Sequence, residues 1–116
     1  MPTPAFILEL RKKIGHDLLL LPGVTGVAVN DRREVLLVKS AHGWWMPIGG
    51  CVEPGEQPAD CIRREIFEET GVRATPIRIT SVDALREPTS YPNGDVRHDS
   101  LSLPSGCRLT VAACER

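Results

Sequence analysis

The sequence predicts one domain of the α/β class, and three observations support this. Its 116 residues suit a single hydrophobic core. Apolar residues recur at helical spacing in residues 4–14 and again in the segment that follows Pro58. Runs of β-branched and aliphatic residues at 24–30, 34–39 and 76–85 are typical of strands.

Composition narrows the classes of partner. Hydrophobic residues make up 41% and charged residues 25% of the chain, which is ordinary for a soluble globular protein. The formal net charge of -1 provides no broad basic field for nucleic acid or an anionic membrane. The apolar stretch Leu18–Leu21 is far too short to span a bilayer, and the N-terminal charge order is the reverse of a signal peptide. We therefore expect a cytoplasmic protein whose partner is a small molecule.

The cysteines do not predict a zinc site, because they form no CxxC pair and the histidines stand far apart. We expect reduced thiols, as in most cytosolic proteins, although the sequence alone leaves disulfides open. The four residues are Cys51, Cys61, Cys107 and Cys114.

Residues 1–17 contain the first predicted helix. Ile7, Leu10 and Ile14 share one face, and Gly15 is suited to end the helix. The basic residues lie mostly on another face, which is typical of a solvated surface.

Two predicted strands follow, at 24–30 and 34–39, and we expect them to pair across the polar turn between them. The segment GWWMPIGG then predicts a loop and a short strand. Pro54-Gly55 is a strong turn signal.

The second helix is predicted from Pro58 to about Thr70. Proline suits the first helical turn because its missing N–H has no helical partner there. Gly71 can adopt the left-handed conformation that ends a helix. Ile62 and Ile66 lie on one side, the stripe that should pack on the sheet.

After the strand at 76–85, the turn YPNGD is expected to connect two strands. The pattern deteriorates after about Val96, and only Leu109–Ala113 resembles a strand.

Three carboxylates crowd one patch of the second helix, at Glu65, Glu68 and Glu69. Like charges at these spacings cost about 0.2–0.5 kcal/mol per pair in isolated helices. The patch is either a solvated acidic face, partly relieved by Arg63 and Arg64, or a site for a hard divalent cation such as Mg²⁺. The helix alone does not decide between these interpretations.

The surrounding motif favours the second interpretation. From Gly50 the segment reads GCVEPGEQPADCIRREIFEETGV, in which five residues precede Glu56 and seven more precede the run from Arg64 to Val72. Every fixed position of the Nudix box is filled, so the chain resembles the Nudix family. The N-terminal segment also resembles a bacterial, ADP-ribose-pyrophosphatase-like subgroup, and the likeness covers most of residues 5–96.

The resemblance implies an α/β/α sandwich in which helices cover a mixed sheet. It implies Mg²⁺ or Mn²⁺ held by Glu68 and Glu69, with Glu65 and the carbonyl of Gly50. It also implies that Arg64 pairs with Glu56, which braces the loop before the helix.

The resemblance further implies a hydrolase that cuts the diphosphate bond of a nucleoside diphosphate linked to another group. Its catalytic set is Glu65, Glu69 and Arg64. Glu65 is our candidate general base, although it could serve only as a metal ligand. Trp45 is a weak candidate for stacking on a base, and we favour a packing role for it.

Two alternatives are kept for the function. A non-catalytic Nudix domain could bind nucleotide as a sensor or interaction module, although the intact acidic set argues against it. An isomerase of isoprenoid diphosphates shares the scaffold but needs further residues, including a cysteine, that we cannot place.

The tail, residues 97–116, is expected to be atypical, as in a chain whose domain lacks its C-terminal elements through truncation or a shifted reading frame. The stretch has no aromatic residue and breaks at 104–106. Such a loss would leave apolar sheet surface open to a second chain, and the sequence leaves open whether the protein is a homodimer. In the alternative, Leu109–Ala113 serves as the missing strand.

Overall fold

The computed structural model describes residues 3–84, 89–90, 96–98 and 107–115. Its helices and strands follow the chain in this order: α1 Ala5–Ile14, β1 Leu19–Leu20, β2 Pro22–Val29, β3 Val38–Lys39, β4 Trp45–Met46, β5 Ile48–Cys51, α2 Pro58–Thr70, β6 Ala74–Ala84, β7 Thr89–Ser90, β8 Val96–His98 and β9 Cys107–Glu115. Both predicted helices and the strand at 76–85 are present within two residues of their expected bounds.

The main sheet has the strand order β5-β2-β9-β6 and is mixed. β2 runs antiparallel to β5 and parallel to β9, and β9 runs antiparallel to β6. The register of β6 against β9 shifts at two points, between Pro76 and Arg78 and between Ile79 and Ser81. The remaining strands form two smaller sheets, β1-β8-β7 and β3-β4.

The two helices lie on opposite faces of the main sheet. On one face, Ile62 and Ile66 of α2 are fully buried against a cluster that includes Val24 and Ala28 of β2. Ile7 of α1 packs with Cys51 of β5, and Cys51 lies three residues after Ile48, which belongs to the first cluster. Residues an odd number of positions apart on a strand point to opposite faces, so the Ile7 cluster lies on the other face of the sheet. This arrangement confirms the α/β/α sandwich.

A glycine of β2 allows α2 to lie close to the sheet. A Cβ at Gly26 would overlap the side chain of Ile62 and lie 3.3 Å from Ile66 Cδ1. The helix that carries the acidic patch is therefore held directly on the sheet.

The expected pairing of 24–30 with 34–39 is confirmed only next to the turn. Val29 and Val35 form an antiparallel bridge, and backbone hydrogen bonds of 2.9 and 3.1 Å lie on either side of it. Farther from the turn, the second run forms the short strand β3, which pairs with β4 instead. The side chain of Asn30 accepts hydrogen bonds from the backbone N–H groups of Arg32 and Glu34, at 3.0 and 2.9 Å. These bonds stabilise the tight turn between the two paired segments.

The prediction that residues after Val96 make no closing element is wrong for 107–115. These residues form β9, an interior strand between β2 and β6. Val111 and Ala113 are buried in the cluster beneath α2. The alternative that placed a strand at Leu109–Ala113 is therefore confirmed.

Some apolar surface of β6 is left open. Ile77, Ile79 and Val82 are each more than half exposed. The predicted turn YPNGD lies outside the described residues. Within the described part of the chain, neither helix is long and apolar enough to cross a membrane.

Candidate active site

Helix α2 sets the positions of the acidic side chains. Pro58 occupies its first turn, and Gly71 adopts the left-handed conformation at φ 73° while its N–H donates to the carbonyl of Phe67 at 2.8 Å. These are the predicted start and stop signals, and the structure confirms them. The arginine and the glutamates of the motif consequently lie along the C-terminal half of a regular helix.

Arg64 and Glu56 form a two-pronged ion pair, which we call the brace. Arg64 Nε lies 2.7 Å from Glu56 Oε1, and Nη2 lies 3.0 Å from Oε2. Glu56 Oε2 also accepts the backbone N–H of Glu53 at 3.1 Å. The hydrogen bond from Arg64 is the main cause of a lowered pKa at Glu56. The brace thus ties the loop between β5 and α2 to the helix.

Glu65 is a buried carboxylate with one satisfied oxygen. The residue is 3% exposed, and its Oε1 accepts from Arg64 Nη1 at 2.8 Å. Its Oε2 is buried and has no hydrogen-bond partner. Burial raises the pKa of Glu65, and the nearby Arg64 opposes that shift only in part. A buried acid left half-satisfied in this way is unusual and points to a missing positive partner.

Gly50 provides the space for this carboxylate. A Cβ at Gly50 would overlap the Glu65 carboxylate and lie 2.9 Å from its Cγ. The glycine is therefore needed for close approach of the helix side chain to β5, rather than for an unusual backbone conformation. Gly50, the first residue of the motif, therefore lies directly against Glu65, the first acid of the patch.

The other two acids are more open. The side chain of Glu68 is 55% exposed, and its Oε2 lies 3.4 Å from Arg64 Nη1. Partial burial is the main cause of a raised pKa at Glu69. Within the described residues, no three His, Cys, Asp or Glu side chains are already gathered closely enough to hold a metal ion. The structure therefore brings Gly50 and Glu65 together, but the carboxylates of Glu65, Glu68 and Glu69 do not meet at one point.

The residues nevertheless suit a hard divalent cation. Carboxylate and carbonyl oxygens are the ligands that Mg²⁺ prefers. The unpartnered Oε2 of Glu65 is available as a ligand atom, in a carboxylate whose other oxygen lies against Gly50. A cation there would offset the charge of a buried carboxylate that Arg64 offsets only in part. Glu68 and Glu69 are exposed enough to reorient toward it.

The packing interpretation of Trp45 is wrong. Its side chain is 65% exposed, and Lys39 Nζ lies 5.8 Å from the centre of its ring. Trp44 is 76% exposed. The sequence does not show whether Trp45 is buried or exposed, because strand β4 is too short to show an alternation of buried and exposed residues.

Sequence reasoning missed the contribution of Cys61, which it treated only as a reduced thiol. Cys61 is fully buried and contacts both Arg64 and the carbonyl of Cys51. Its spacing from Arg64, three residues along the same helix, is the signal that could have indicated the contact. Among the described side chains, the thiols of Cys61 and Cys114 form no disulfide.

The brace can be tested by replacing Arg64 with lysine. Lysine keeps the charge but cannot occupy both carboxylate oxygens in one plane. We expect the free energy of unfolding to fall by about 1 kcal/mol, and amide hydrogen exchange to rise in the loop from Gly50 to Glu56. Arg63→Lys is the matched control, because among the described residues Arg63 pairs only with the exposed carboxylate of Asp60. Equal exchange in the two variants would contradict the brace.

The fold and this cluster define an α/β/α domain in which an acidic helix packs against a glycine-containing strand. An arginine–glutamate pair ties the helix to the loop that precedes it. A profile of the NUDIX domain matches residues 19–105. The chain belongs to the NUDIX domain family.

Three curated relatives span different activities. The chain is 32% identical over 84 residues to 8-oxo-dGDP phosphatase NUDT18 of Mus musculus, covering 69% of this chain and 24% of that protein. It is 35% identical over 82 residues to the NAD-capped RNA hydrolase NudC of Chromobacterium violaceum, covering 61% and 31%. It is 33% identical over 87 residues to an RNA pyrophosphohydrolase of Actinobacillus succinogenes, covering 73% and 44%. The chain thus spans less than half the length of each.

Solved structures share the fold. A UDP-X diphosphatase aligns with a TM-score of 0.59 at 22% identity, covering all (100%) of this chain and 52% of that one. A NUDIX hydrolase from Nitrosomonas europaea aligns with the same TM-score of 0.59 at 22% identity, covering 84% and 60%. At this identity the likeness shows the architecture alone.

Proposed function

We propose that this domain hydrolyses the diphosphate bond of a nucleoside diphosphate linked to another group, with Mg²⁺ or Mn²⁺ as cofactor. The observation that carries the proposal is the buried Glu65 carboxylate, whose Oε2 has no hydrogen-bond partner and whose Oε1 lies against Gly50. A buried acid without a full set of partners is costly. Such a group is typical of a functional site rather than of a solvated acidic face.

The metal-holding residues in this proposal are Glu68 and Glu69, with Glu65 and the carbonyl of Gly50. When bound there, a divalent cation neutralises the diphosphate, polarises a phosphoryl oxygen and lowers the pKa of a bound water. The chain's own contribution is positional, because Arg64 holds Glu65 Oε1 while the brace fixes Arg64 itself.

Glu65 is the proposed general base. Burial raises its pKa, which brings the carboxylate closer to the range where proton acceptance at neutral pH is efficient. Glu69, whose pKa is also raised by burial, is the alternative base. Trp45 stays a weak candidate for contact with a nucleobase, since its exposed ring leaves room for stacking.

The names of the relatives support a diphosphate joined to a nucleoside as the shared substrate chemistry. The net charge of -1 favours a free nucleotide over a long nucleic acid, although RNA-directed relatives make an RNA end a necessary comparison. We also propose that the protein is cytoplasmic and forms a homodimer.

A substrate screen tests it. ADP-ribose and an NAD-capped RNA oligonucleotide are incubated with Mg²⁺ or Mn²⁺, and phosphate is measured after a phosphatase step. Hydrolysis of 8-oxo-dGDP is followed by direct release of phosphate, because a phosphatase would also attack the uncut substrate. We expect turnover of at least one free nucleotide, and a fall of about 100-fold or more for Glu69→Gln with the melting temperature preserved.

Asp60→Asn is the matched control, since Asp60 is an exposed carboxylate of the same helix that contacts only Arg63 among the described pairs. It should retain the wild-type rate. If the wild-type protein binds these nucleotides but turns over none, the domain is the non-catalytic sensor instead.

A further inference from the structure

Cys61 lies beneath the brace, one helical turn before Arg64, and is fully buried. Its Sγ donates a hydrogen bond to the carbonyl of Cys51 at 3.4 Å. Arg64 Nη2 lies 3.5 Å from the same carbonyl and 3.7 Å from Cys61 Sγ. The thiol, the guanidinium and the last carbonyl of β5 therefore form one hydrogen-bonded triangle.

The triangle involves Arg64 Nη2, which points away from the acidic patch. Nε and Nη2 bond to Glu56, whereas Nη1 bonds to Glu65 and approaches Glu68. A guanidinium is rigid and planar, so contacts that place Nε and Nη2 also place Nη1. A shift of the Nη2 side would consequently move the donor that orients the Glu65 carboxylate.

We propose that Cys61 is a positioning residue of this active site, where its thiol holds Arg64 against the end of β5 so that Nη1 orients Glu65. The proposal rests on the proposed function. It assigns to Cys61 a role beyond packing, although the residue touches neither substrate nor cation.

The chemistry of the thiol suits this role. Burial raises the pKa of Cys61 to about 12, and the nearby Glu56 carboxylate adds to that effect. The group consequently stays a neutral S–H donor at neutral pH. A thiolate nucleophile or thiolate metal ligand is disfavoured at the same position.

The test compares three variants with the wild-type protein by calorimetric titration with Mn²⁺, melting temperature and kcat/KM. Cys61→Ala removes both the donor to the Cys51 carbonyl and the acceptor of Arg64 Nη2, whereas the hydroxyl of Cys61→Ser can serve as both. Ile7→Val is the matched control, because it also removes one heavy atom from a fully buried side chain but on the opposite face of the sheet.

We expect Cys61→Ala to weaken Mn²⁺ binding about 10-fold and to lower kcat/KM by a similar factor, in the range of hydrogen-bonded groups behind metal ligands. Cys61→Ser should restore most of both. Ile7→Val should keep the wild-type Mn²⁺ affinity even where its melting temperature falls as far as that of Cys61→Ala.

Cys61→Ala with wild-type Mn²⁺ affinity would overturn the inference, and so would a Cys61→Ser variant as defective as Cys61→Ala, since packing alone would then explain the effect. The proposed function fails separately, through a wild-type protein that binds Mn²⁺ and hydrolyses no nucleotide. In that case the Mn²⁺ affinities of the Cys61 variants still test whether Cys61 positions Arg64.

Discussion

Replacing Glu65 with glutamine is expected to lower kcat by about 1,000-fold, within the usual contribution of a general base. The metal-free variant should be at least as stable as the wild-type protein. The amide keeps an oxygen that can accept from Arg64, and it removes a charge that is buried with one unpartnered oxygen. A lost activity combined with a retained or raised stability distinguishes a functional acid from a structural one.

The stability difference should depend on pH. The pKa of Glu65 is raised in the folded state, so its contribution to stability is fully present below its ordinary value of 4.5. That contribution is lost as pH rises through the folded pKa. Glu56 has a lowered pKa and the opposite dependence, but both proteins contain it, so its effect cancels in the comparison.

Thermal unfolding in chelator, between about pH 4 and about pH 8, measures this difference. The melting temperature of Glu65→Gln minus that of the wild-type protein should increase with pH. A difference that decreases with pH would show that the charged carboxylate stabilises the metal-free fold, contrary to our interpretation.

Gly50→Ala is expected to be the second severe substitution. The added methyl group would overlap the Glu65 carboxylate, which is buried and held by Arg64 and therefore has little room to move. Overpacking of this kind costs about 1–3 kcal/mol of unfolding free energy. Displacement of Glu65 by about 1 Å should reduce turnover about 100-fold.

A double-mutant cycle with Glu65→Ala isolates the cause. If the clash with the Glu65 side chain is responsible, Gly50→Ala should cost much less stability once that side chain has been shortened. An equal cost in both backgrounds would place the strain elsewhere, for example in the pairing of β5 with β2. Denaturant unfolding of the four proteins gives the coupling energy directly.

The sequence predicts the helices of this domain well because their signals are local. Pro58 and Gly71 act within one turn of the residues whose backbone they set. The resemblance supplied the mixed sheet and the pairing of Arg64 with Glu56. These features depend on identities at fixed spacing, which a single sequence displays in full.

Strand β9 was underestimated because its evidence is non-local. It pairs in parallel with β2, far away in the chain, and a buried interior strand has no polar alternation of its own. The sequence Pro-Ser-Gly at 104–106 precedes it directly and interrupts the strand pattern. Only the partner strands show that Val111 and Ala113 are core residues.

The details of the site were also beyond sequence reasoning. The motif names the acids, but it does not show that Glu65 alone is deeply buried while Glu68 is open to solvent. It does not show that Cys61 lies against Arg64. Each depends on how closely α2 approaches the sheet, which Gly26 and Gly50 permit.

The most direct test of the central claim is the metal dependence of hydrolysis by the wild-type protein. Turnover of the best nucleoside-diphosphate substrate is measured across a titration of Mg²⁺, then again in excess chelator and after Mg²⁺ is restored. The account predicts saturable activation by Mg²⁺, loss of essentially all activity in chelator, and recovery when the cation returns. Full activity in excess chelator would contradict it, because the acidic patch on α2 would then be a solvated surface.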